Sequence, residues 1–343
     1  MTVRVGVIGC GMIGTDHVRT LSAAVSGAQV VAVSDADPDR AGHAAEIAGR
    51  AQVRPDAHTL IVDPDVDAVL VASWEATHEE FVLACLAAGK PVLCEKPLAT
   101  TPDACLRVVE AEAALGRRLV TVGFMRRFDP SYTELKRILT SGQIGEALFL
   151  HSIHRNADYP ERFESEALVT ATGVHDIDIT RWLLGQEITA VTAHTPRASS
   201  RVRAGFQDPQ FLVLETEAGA IVDLEIFVNA RYGYDVSCEL VGECGTVSLV
   251  PPTTALVRFD GVDGHAVPAD ARPRFAQAFR REMQAWVDAV AGEGVQAVGA
   301  SAWDGYAAAV VADACLQAGT DGTTKVKLID QPSLYRTQVE ELA

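Results

Sequence analysis

Two residues of this sequence carry side chains that could exchange a proton with a hydroxyl group. Lys96 lies in the motif Glu-Lys-Pro at 95–97, and His175 opens the run His-Asp-Ile-Asp at 175–178. An imidazole that titrates near neutrality can accept a hydroxyl proton, while a lysine can hydrogen-bond the same oxygen and stabilise developing charge. The pair predicts oxidation of an alcohol, provided that a hydride acceptor binds nearby. The ordinary alternatives are a solvent-exposed loop lysine and a histidine that caps a helix or fills the core.

Other chemistries have less support in the sequence. No GxSxG nucleophile motif occurs, and His175 and Asp178 have no third metal ligand at an obvious spacing. We therefore predict neither a nucleophilic hydrolase nor a metal site.

A glycine-rich loop predicts the hydride acceptor. It has the pattern GxGxxG, between a strand-like run and a helical run, and consists of Gly9, Cys10, Gly11, Met12, Ile13 and Gly14. In a dinucleotide-binding unit the first glycine permits the tight turn, the second admits the pyrophosphate, and the third allows close packing of helix and strand. The helix N-terminus then presents unpaired N–H groups to the phosphates.

Asp35 adds cofactor preference to this motif. It ends the second strand-like run, 21 residues beyond Gly14 (35 − 14), near the position expected of an acid that binds the adenosine ribose. A carboxylate there would repel a 2′-phosphate, so we predict NAD rather than NADP. The alternative is a solvated acid in the turn before Asp37-Pro38.

The first 123 residues alternate short strand-like and helical runs, which is typical of a parallel, doubly wound sheet. The predicted helices are Ile13–Val25, Ala76–Ala88 and Pro102–Leu115, and Thr77 with Glu80 predicts a capping box at the second of them. The strand-like runs are apolar and rich in β-branched residues, as in strands buried on both faces: Val3–Ile8, Gln29–Val33, Ala68–Ala72, Pro91–Cys94 and Leu119–Val122.

After residue 123 the pattern becomes α+β. Consecutive alternating runs predict an open, mainly antiparallel sheet: Ala147–Ile153, Gln210–Glu217, Ile221–Asn229, Val236–Gly242 and Thr246–Val250. The predicted helices are Pro130–Ser141, Val174–Leu184, Arg274–Ala291 and Trp303–Ala318, with a capping box at Ser301 and Asp304. We expect domains at 1–123 and 124–343, with the C-terminal helices able to pack back on the first.

Composition restricts the class of protein. The 343 residues are 48% hydrophobic and 22% charged, which suits a globular enzyme of two domains, and the net charge of −17 disfavours a nucleic-acid partner. Seven cysteines without a CxxC pair predict neither a disulfide framework nor structural zinc. No signal peptide and no run of about 18 apolar residues is present, so we predict a cytoplasmic protein that does not enter the membrane.

The chain resembles the Gfo/Idh/MocA family of dehydrogenases. The resemblance rests on GxGxxG at 9–14, Glu-Lys-Pro at 95–97 and His-Asp-Ile-Asp at 175–178, together with the stretches 122–129, 154–156, 223–229, 231–235 and 302–307. It implies an NAD-binding Rossmann domain followed by an α+β domain that binds substrate and forms oligomers, usually tetramers. The implied reaction is oxidation of a secondary hydroxyl of a cyclic polyol, with myo-inositol or scyllo-inositol favoured.

The resemblance also implies site residues. Lys96 and His175 would be catalytic, with Pro97 cis, and Arg127, Asn156 and Tyr234 would line the polyol pocket. The implied cofactor-binding residues beyond the glycine loop and Asp35 are Ser73, Trp74, His78, Glu95 and Lys96. Alternatives remain open: Trp74 as packing, Arg127 paired with Asp129, and Tyr232 facing the pocket in place of Tyr234.

One position departs from the family pattern. An aspartate that contacts substrate and orients the base is expected four residues before the histidine, on the same helical face, and Ala171 occupies that position. Alanine can neither accept a hydrogen bond nor stabilise an imidazolium. Three explanations follow: another substrate such as an aldose or deoxysugar, a local shift of register, or impaired activity. A non-catalytic regulator that binds cofactor and sugar is the rival from another class.

Overall fold

The computed structural model describes residues 2–161, 163–250, 256–292 and 299–336. The described residues fall into two compact units. The first unit takes its residues from 1–125, 278–309 and 328–343, and the second from 126–277 and 310–327. The described residues include no helix long and apolar enough to cross a membrane.

Six parallel strands form the sheet of the first unit, in the order β3-β2-β1-β4-β5-β6. Strand order reverses between β1 and β4, which is where an open parallel sheet binds ligands beyond the carboxyl ends of its strands. The predicted doubly wound sheet is confirmed. Its strands are β1 (Val3–Ile8), β2 (Ala28–Ser34), β3 (Gln52–Val53), β4 (Ala68–Val71), β5 (Val92–Glu95) and β6 (Val120–Gly123).

Helices connect these strands and bury their apolar residues with them. Val5, Val7, Leu70 and Leu93 are fully buried in a core that also includes Trp286. The connecting helices are α1 (Met12–Ala23), α2 (Pro38–Ile47), α3 (Ala57–Ile61), α4 (His78–Ala87) and α5 (Pro102–Leu115).

The predicted capping box at the start of α4 is wrong. The Thr77 side chain makes no capping bond; its hydroxyl instead donates to the Trp74 carbonyl at 2.7 Å and lies 2.7 Å from the Ser73 hydroxyl. A 3-10 turn at Glu75–Thr77 precedes α4 and places this threonine inside a turn.

The second unit is built on a seven-stranded sheet in the order β12-β11-β7-β10-β9-β8-β15. Only the β7–β10 pair is parallel among these neighbours, so the predicted, mainly antiparallel sheet is confirmed. β10 and β11 alternate buried and half-buried residues, which gives the sheet one core face. The strands are β7 (Ala147–Arg155), β8 (Ile188–His194), β9 (Gln210–Thr216), β10 (Ile221–Phe227), β11 (Asp235–Gly242), β12 (Gly245–Ser248) and β15 (Thr323–Lys325).

Two helices and a small hairpin complete the second unit. The helices are α6 (Pro130–Thr140) and α7 (Val174–Leu184), and a π-helical turn at Leu168–Gly173 leads directly into α7. A Cβ on Gly173 would lie 2.6 Å from Ile226 Cδ1, so glycine allows this turn to approach β10 closely. The hairpin pairs β13 (Val257–Phe259) with β14 (Val262–Gly264).

The residues of two long helices are divided between the units. These helices are α8 (Ala271–Ala291), which has a non-helical residue at Phe275, and α9 (Ala302–Asp321). The capping box predicted for α9 is confirmed: Asp304 Oδ2 accepts from the Ser301 backbone N–H at 2.7 Å, and Ser301 Oγ accepts from the Asp304 N–H at 3.2 Å.

Candidate active site

The glycine loop fits a dinucleotide for a reason specific to each glycine. Gly9 has φ +89°, and a Cβ there would lie 2.4 Å from Ser73 N; a Cβ on Gly14 would lie 1.9 Å from Gly9 O. These two positions exclude a side chain by protein contacts alone. A Cβ on Gly11 would meet no protein atom within 4 Å, so the chain itself leaves space there. Open space at this glycine is what an approaching pyrophosphate requires.

The start of α1 suits an anion. Gly11 is its N-cap and makes no side-chain capping bond, and the first turn contains no acidic residue. Met12 is 68% exposed and Ile13 is half-buried. The N–H groups of this turn can therefore bind phosphate oxygens, with favourable charge from the helix dipole.

Asp35 supports the glycine loop as well as lying at the ribose position. Its Oδ2 accepts from the Cys10 N–H at 2.6 Å and its Oδ1 from the Asp37 N–H at 2.8 Å. A carboxylate offers about four lone-pair sites, so these two bonds leave capacity for ribose hydroxyls.

Burial, with the nearby Asp35 charge, raises the pKa of the Cys10 thiol to about 12. Cys10 contributes backbone here and no reactive thiolate.

The Lys96 turn follows β5 directly. The Lys96–Pro97 peptide bond is cis, which confirms the prediction for Pro97. Glu95 is buried, and its Oε2 accepts from the Lys96 N–H at 3.2 Å. Its Oε1 lies 2.6 Å from His17 Nε2 on α1. Burial opposes ionisation of Glu95, but the hydrogen bond and charge of His17, with the charge of Lys96, hold its pKa below the ordinary value.

The loop after β4 carries the other predicted cofactor residues. Trp74 is 69% exposed, which removes the alternative that it packs in the core of the first unit. His78 is buried, with Nδ1 2.7 Å from the Pro97 carbonyl oxygen and Nε2 3.1 Å from the Ser73 carbonyl oxygen. Both nitrogens are thus directed at loop backbone, and His78 joins the β4 loop to the lysine turn.

His175 lies in the first turn of α7 in the second unit and is 8% exposed. Its ring centroid lies 6.4 Å from that of His154 on β7. Ala171 is half-buried within the π-helical turn that precedes α7. Residues four apart stack on one face in an α-helix, but the wider spacing of a π-helix alters that register. This geometry differs from the expectation of a single α-helical face joining positions 171 and 175.

A buried charge cluster surrounds the residue next to His175. Asp176 is fully buried; its Oδ1 accepts from Arg126 Nη1 at 2.5 Å and from Ser152 Oγ at 3.2 Å, and its Oδ2 lies 2.6 Å from His154 Nδ1. Burial disfavours the charged form of Asp176, but Arg126 and His154 outweigh it and lower its pKa to about 2. Asp176 is therefore ionised, and it joins the first turn of α7 to Arg126 and His154.

Arg127 pairs with a different acid from the one considered in the sequence. Its Nε and Nη2 donate to the two Asp178 oxygens at 3.0 and 2.6 Å, so the alternative of pairing with Asp129 is wrong. Asp129 instead caps α6 at Ser131 N and accepts from Arg274 Nη1 at 2.9 Å. Proximity in sequence does not identify the partner of Arg127, because the Asp129 carboxylate already accepts hydrogen bonds from the α6 cap and from Arg274.

Tyr234 is buried, Asn156 is half-buried with a buried Oδ1, and Tyr232 is exposed. Asn156 Oδ1 has no hydrogen-bond partner among the described residues, although the backbone of Asn156 bonds Phe227 and Ala230. Tyr234 is 6% exposed and packs edge-on to His154, with ring centroids 5.7 Å apart. Burial raises the pKa of its phenol, so it stays neutral. Tyr232 is 51% exposed and donates to Asp235, which favours Tyr234 as the inward residue.

Four residues of these arrangements were absent from the sequence-based site: His17, Arg126, His154 and Asp176. His17 follows Gly14 by three residues, and Arg126, His154 and Asp176 lie within the stretches 122–129, 154–156 and 175–178. Their roles depend on partners far along the chain, so no local pattern identifies them. Among the described residues, no group of three or more His, Cys, Asp or Glu side chains is placed to hold a metal ion.

Known families match both parts of the chain. Residues 3–124 match the oxidoreductase family with an NAD-binding Rossmann fold, Gfo/Idh/MocA, and residues 132–248 match the Gfo/Idh/MocA C-terminal domain. The chain belongs to the Gfo/Idh/MocA oxidoreductase family, as its glycine loop and lysine turn lead one to expect.

Individual relatives are similar over nearly the whole chain. Inositol 2-dehydrogenase 2 of Saccharopolyspora erythraea is 62% identical over 336 residues, 98% of each chain. Inositol 2-dehydrogenase of Pseudomonas fluorescens is 47% identical over 98% of this chain and 100% of its own. The structure of myo-inositol dehydrogenase from Lactobacillus casei, in complex with NAD(H) and myo-inositol, has a TM-score of 0.94 at 38% identity and covers 98% of this chain and 100% of its own.

Proposed function

We propose that this protein is an NAD-dependent dehydrogenase that oxidises a secondary hydroxyl of an inositol, with myo-inositol as the favoured substrate. The observation that carries the proposal is the likeness, end to end, to inositol 2-dehydrogenases, at 62% identity for one relative and a TM-score of 0.94 for a myo-inositol complex. The glycine loop, Asp35 and the lysine turn described above are the features that such an enzyme needs.

The roles of the residues follow from their chemistry. Bound NAD supplies the hydride acceptor. Lys96 hydrogen-bonds the reacting hydroxyl oxygen, and His175 accepts the hydroxyl proton as general base. Asp176 is ionised and holds Arg126 and His154, so it fixes the backbone that carries His175.

Polyol recognition is assigned to Arg127, Asn156 and Tyr234, with Ala171 at the remaining substrate-facing position. Arg127 is held in a two-pronged pair with Asp178, and the neutral Tyr234 hydroxyl can donate or accept a hydrogen bond. Asn156 Oδ1, buried without a partner among the described residues, is an acceptor suited to a substrate hydroxyl. A ring of hydroxyls needs such a set of donors and acceptors.

The cofactor preference follows from charge. The carboxylate of Asp35 would accept hydrogen bonds from the ribose hydroxyls and repel a 2′-phosphate, so NAD is preferred over NADP. Gly9, Gly11 and Gly14 would leave room for the tight turn and the pyrophosphate. Ser73, Trp74, His78 and Glu95 complete the proposed cofactor site, the last two by holding the loops that contact the cofactor.

Assembly and location are further parts of the proposal. The exposed side chain of Phe149 on β7 lies on the face opposite that of buried Leu150 and is consistent with a sheet that contacts other copies, and we propose a homotetramer. Light scattering should then give four times the mass of one chain.

The seven cysteines are all unpaired, which suits a reducing compartment, so we propose that the protein is located in the cytoplasm. Cell fractionation checks this location.

The decisive experiment is a substrate panel. NADH formation is followed with myo-inositol, scyllo-inositol, glucose and a deoxysugar, with NAD and with NADP, from neutral to alkaline pH. Turnover of an inositol with NAD is expected, and Lys96→Met and His175→Ala should each reduce it by about 100-fold or more. Turnover of the sugars alone, or of no substrate at any pH, would contradict the proposal.

A second candidate function is favoured by one observation, Ala171. A protein that lacks a polar group here could bind cofactor and polyol as a regulator without turnover. Ala171→Asp separates the two functions. A rate gain in Ala171→Asp identifies an enzyme whose rate is limited at this position. Absence of turnover in both forms, with NADH binding still detected by fluorescence titration, identifies a regulator.

A further inference from the structure

The lysine turn is held on both sides by buried histidines. His17 on α1 contacts Glu95, the residue before Lys96, and His78 at the start of α4 contacts Pro97, the residue after it. Both rings are almost completely buried, at 2% and 1% exposed. We propose that His17 and His78 are positioning residues that fix Lys96 for the reaction. The kinetic part of this inference rests on the proposed dehydrogenase function.

The His17 side acts through a carboxylate. Glu95 Oε1 lies 2.6 Å from His17 Nε2, and Glu95 Oε2 accepts from the Lys96 N–H. A Cβ on Gly123 would lie 3.4 Å from Glu95 Cδ, so glycine in the neighbouring strand leaves the space that this acid needs. His17 also packs edge-on to Phe279, with ring centroids 5.6 Å apart. The helix α1, which follows the glycine loop, is thereby connected through Glu95 to the backbone of Lys96.

The His78 side acts through two carbonyl groups. Nδ1 faces Pro97 O at 2.7 Å and Nε2 faces Ser73 O at 3.1 Å. Carbonyl oxygens only accept, so each contact is a hydrogen bond when the facing nitrogen carries a proton. The imidazole joins the loop that carries Trp74 to the turn that carries Lys96.

Fixing the backbone matters because the lysine side chain is long and flexible. The position of its ammonium group is set by the anchor at Cα and by its surroundings. A misplacement of about 1 Å can reduce a rate by about 100-fold even when no reacting group is lost. Two histidines from two different helices restrict the turn more tightly than either could alone.

The test uses two variants of each histidine. His17→Leu and His78→Phe remove the polar contacts, and His17→Gln and His78→Asn retain an N–H donor. We expect the first two to lower kcat about 10- to 100-fold while KM for the polyol changes less than about threefold. The conservative variants should recover most of the lost kcat, and thermal unfolding confirms that each variant is folded.

Two substitutions away from the turn are matched controls. His58→Leu removes a surface pair of the same chemistry, in which His58 Nε2 lies 2.7 Å from Glu80 Oε1. Tyr335→Phe removes a buried hydrogen bond to Glu112 at 2.6 Å, which tests for loss of stability alone. Neither should change kcat by more than about twofold, because neither contacts the lysine turn.

A second readout does not depend on turnover. Acetylation of Lys96 by acetic anhydride is measured by peptide mass spectrometry against pH, in protein without cofactor, with exposed Lys327 as internal reference. Without His17, buried Glu95 should protonate, and Lys96 would lose a neighbouring negative charge. His17→Leu should therefore move the Lys96 profile to lower pH, His17→Gln should move it less because it keeps the hydrogen bond to Glu95, and His58→Leu should leave it in place.

The outcomes separate the inference from the proposed function. An inactive wild-type protein contradicts the function, while the acetylation profile still tests the His17 contact. An active wild-type protein with unchanged kcat in folded His17→Leu and His78→Phe overturns the positioning role. Equal loss in His78→Phe and His78→Asn, with a matching loss in Tyr335→Phe, would show a general effect of stability and also overturn it.

Discussion

The glycine loop of the first unit and the charge cluster of the second meet their requirements by different means. The glycine loop depends on the absence of side chains: a single Cβ on Gly14 would overlap Gly9 O at 1.9 Å. The charge cluster depends on their presence, because Asp176 holds Arg126 and His154 in a fully buried network. The first is a requirement of backbone shape within six residues, and the second is a balance of charge among residues 22 to 50 positions apart.

This difference determines how each region should fail. Loss of space in the glycine loop acts locally, on one turn and on its ligand. Loss of one charge in the cluster leaves an uncompensated partner in the protein interior, and its cost is global. Substitutions in the two regions should therefore differ both in size and in what they damage.

The largest effect is expected from Asp176→Asn. The substitution leaves the fully buried Arg126 without its counter-charge, which should lower the free energy of unfolding by about 3–5 kcal/mol. Chemical denaturation at pH 7 measures this value. The exposed pair of Arg258 and Asp263 provides the control, and Asp263→Asn should produce no measurable change. An unfolding free energy near that of the wild type would show that the cluster is not a charge balance.

Gly14→Ala should have the next largest effect. The added methyl group overlaps a backbone oxygen that cannot rotate away, so we expect a loss of about 3 kcal/mol in stability together with loss of NADH binding. Fluorescence titration and thermal unfolding measure the two effects.

Gly11→Ala is the matched comparison in the same loop. Its Cβ meets no protein atom within 4 Å, so stability should be retained while NADH binding falls. If Gly11→Ala destabilised the protein as much as Gly14→Ala, the assignment of Gly11 to ligand approach would be wrong.

The contrast also explains which features the sequence predicts. The helix Pro102–Leu115 and the helix Val174–Leu184 agree with the structure to the residue, because each has a clear start and apolar spacing. β3 has only two residues and no pattern to detect. Thr77 fits a capping box by spacing, but the Trp74 carbonyl and the Ser73 hydroxyl engage its hydroxyl.

The candidate site divides in the same way. Gly9, Gly11 and Gly14 are identifiable because their requirement is local and contiguous. Arg127 was considered beside Asp129, two residues away, yet pairs with Asp178, 51 residues away. The tertiary fold determines which acid lies next to Arg127, and the sequence pattern around Arg127 does not identify a partner so far along the chain.

The smallest effect is expected at a second buried carboxylate, Asp208, which sharpens the contrast with Asp176. Asp208 Oδ1 accepts from the Val228 N–H at 2.9 Å, but Oδ2 has no hydrogen-bond partner among the described residues. Burial raises the pKa of Asp208 from 3.8 to about 6, against the opposing bonds from Val228 and Asn229. Asp176, fully paired, is shifted in the other direction.

The sign of the pH dependence follows from this shift. The folded pKa lies above the unfolded one, so the folded protein binds an extra proton between about pH 4 and pH 6, and this group stabilises the fold as pH falls through that window. At pH 7 the charged carboxylate is a cost. Asp208→Asn keeps the acceptor for Val228 and removes the charge, so it should increase stability by about 1–2 kcal/mol at pH 7.

Denaturation of wild type and Asp208→Asn at pH 4, 5, 6 and 7 measures this dependence. The advantage of the variant should decrease steadily and vanish near pH 4, where Asp208 is already neutral in the folded wild type. The deficit of Asp176→Asn should instead stay constant between pH 7 and pH 4, because the pKa of Asp176 is lowered to about 2 and its contribution to stability is lost only as pH falls below about 4. Parallel pH profiles for the two variants would refute the opposite assignments of these carboxylates.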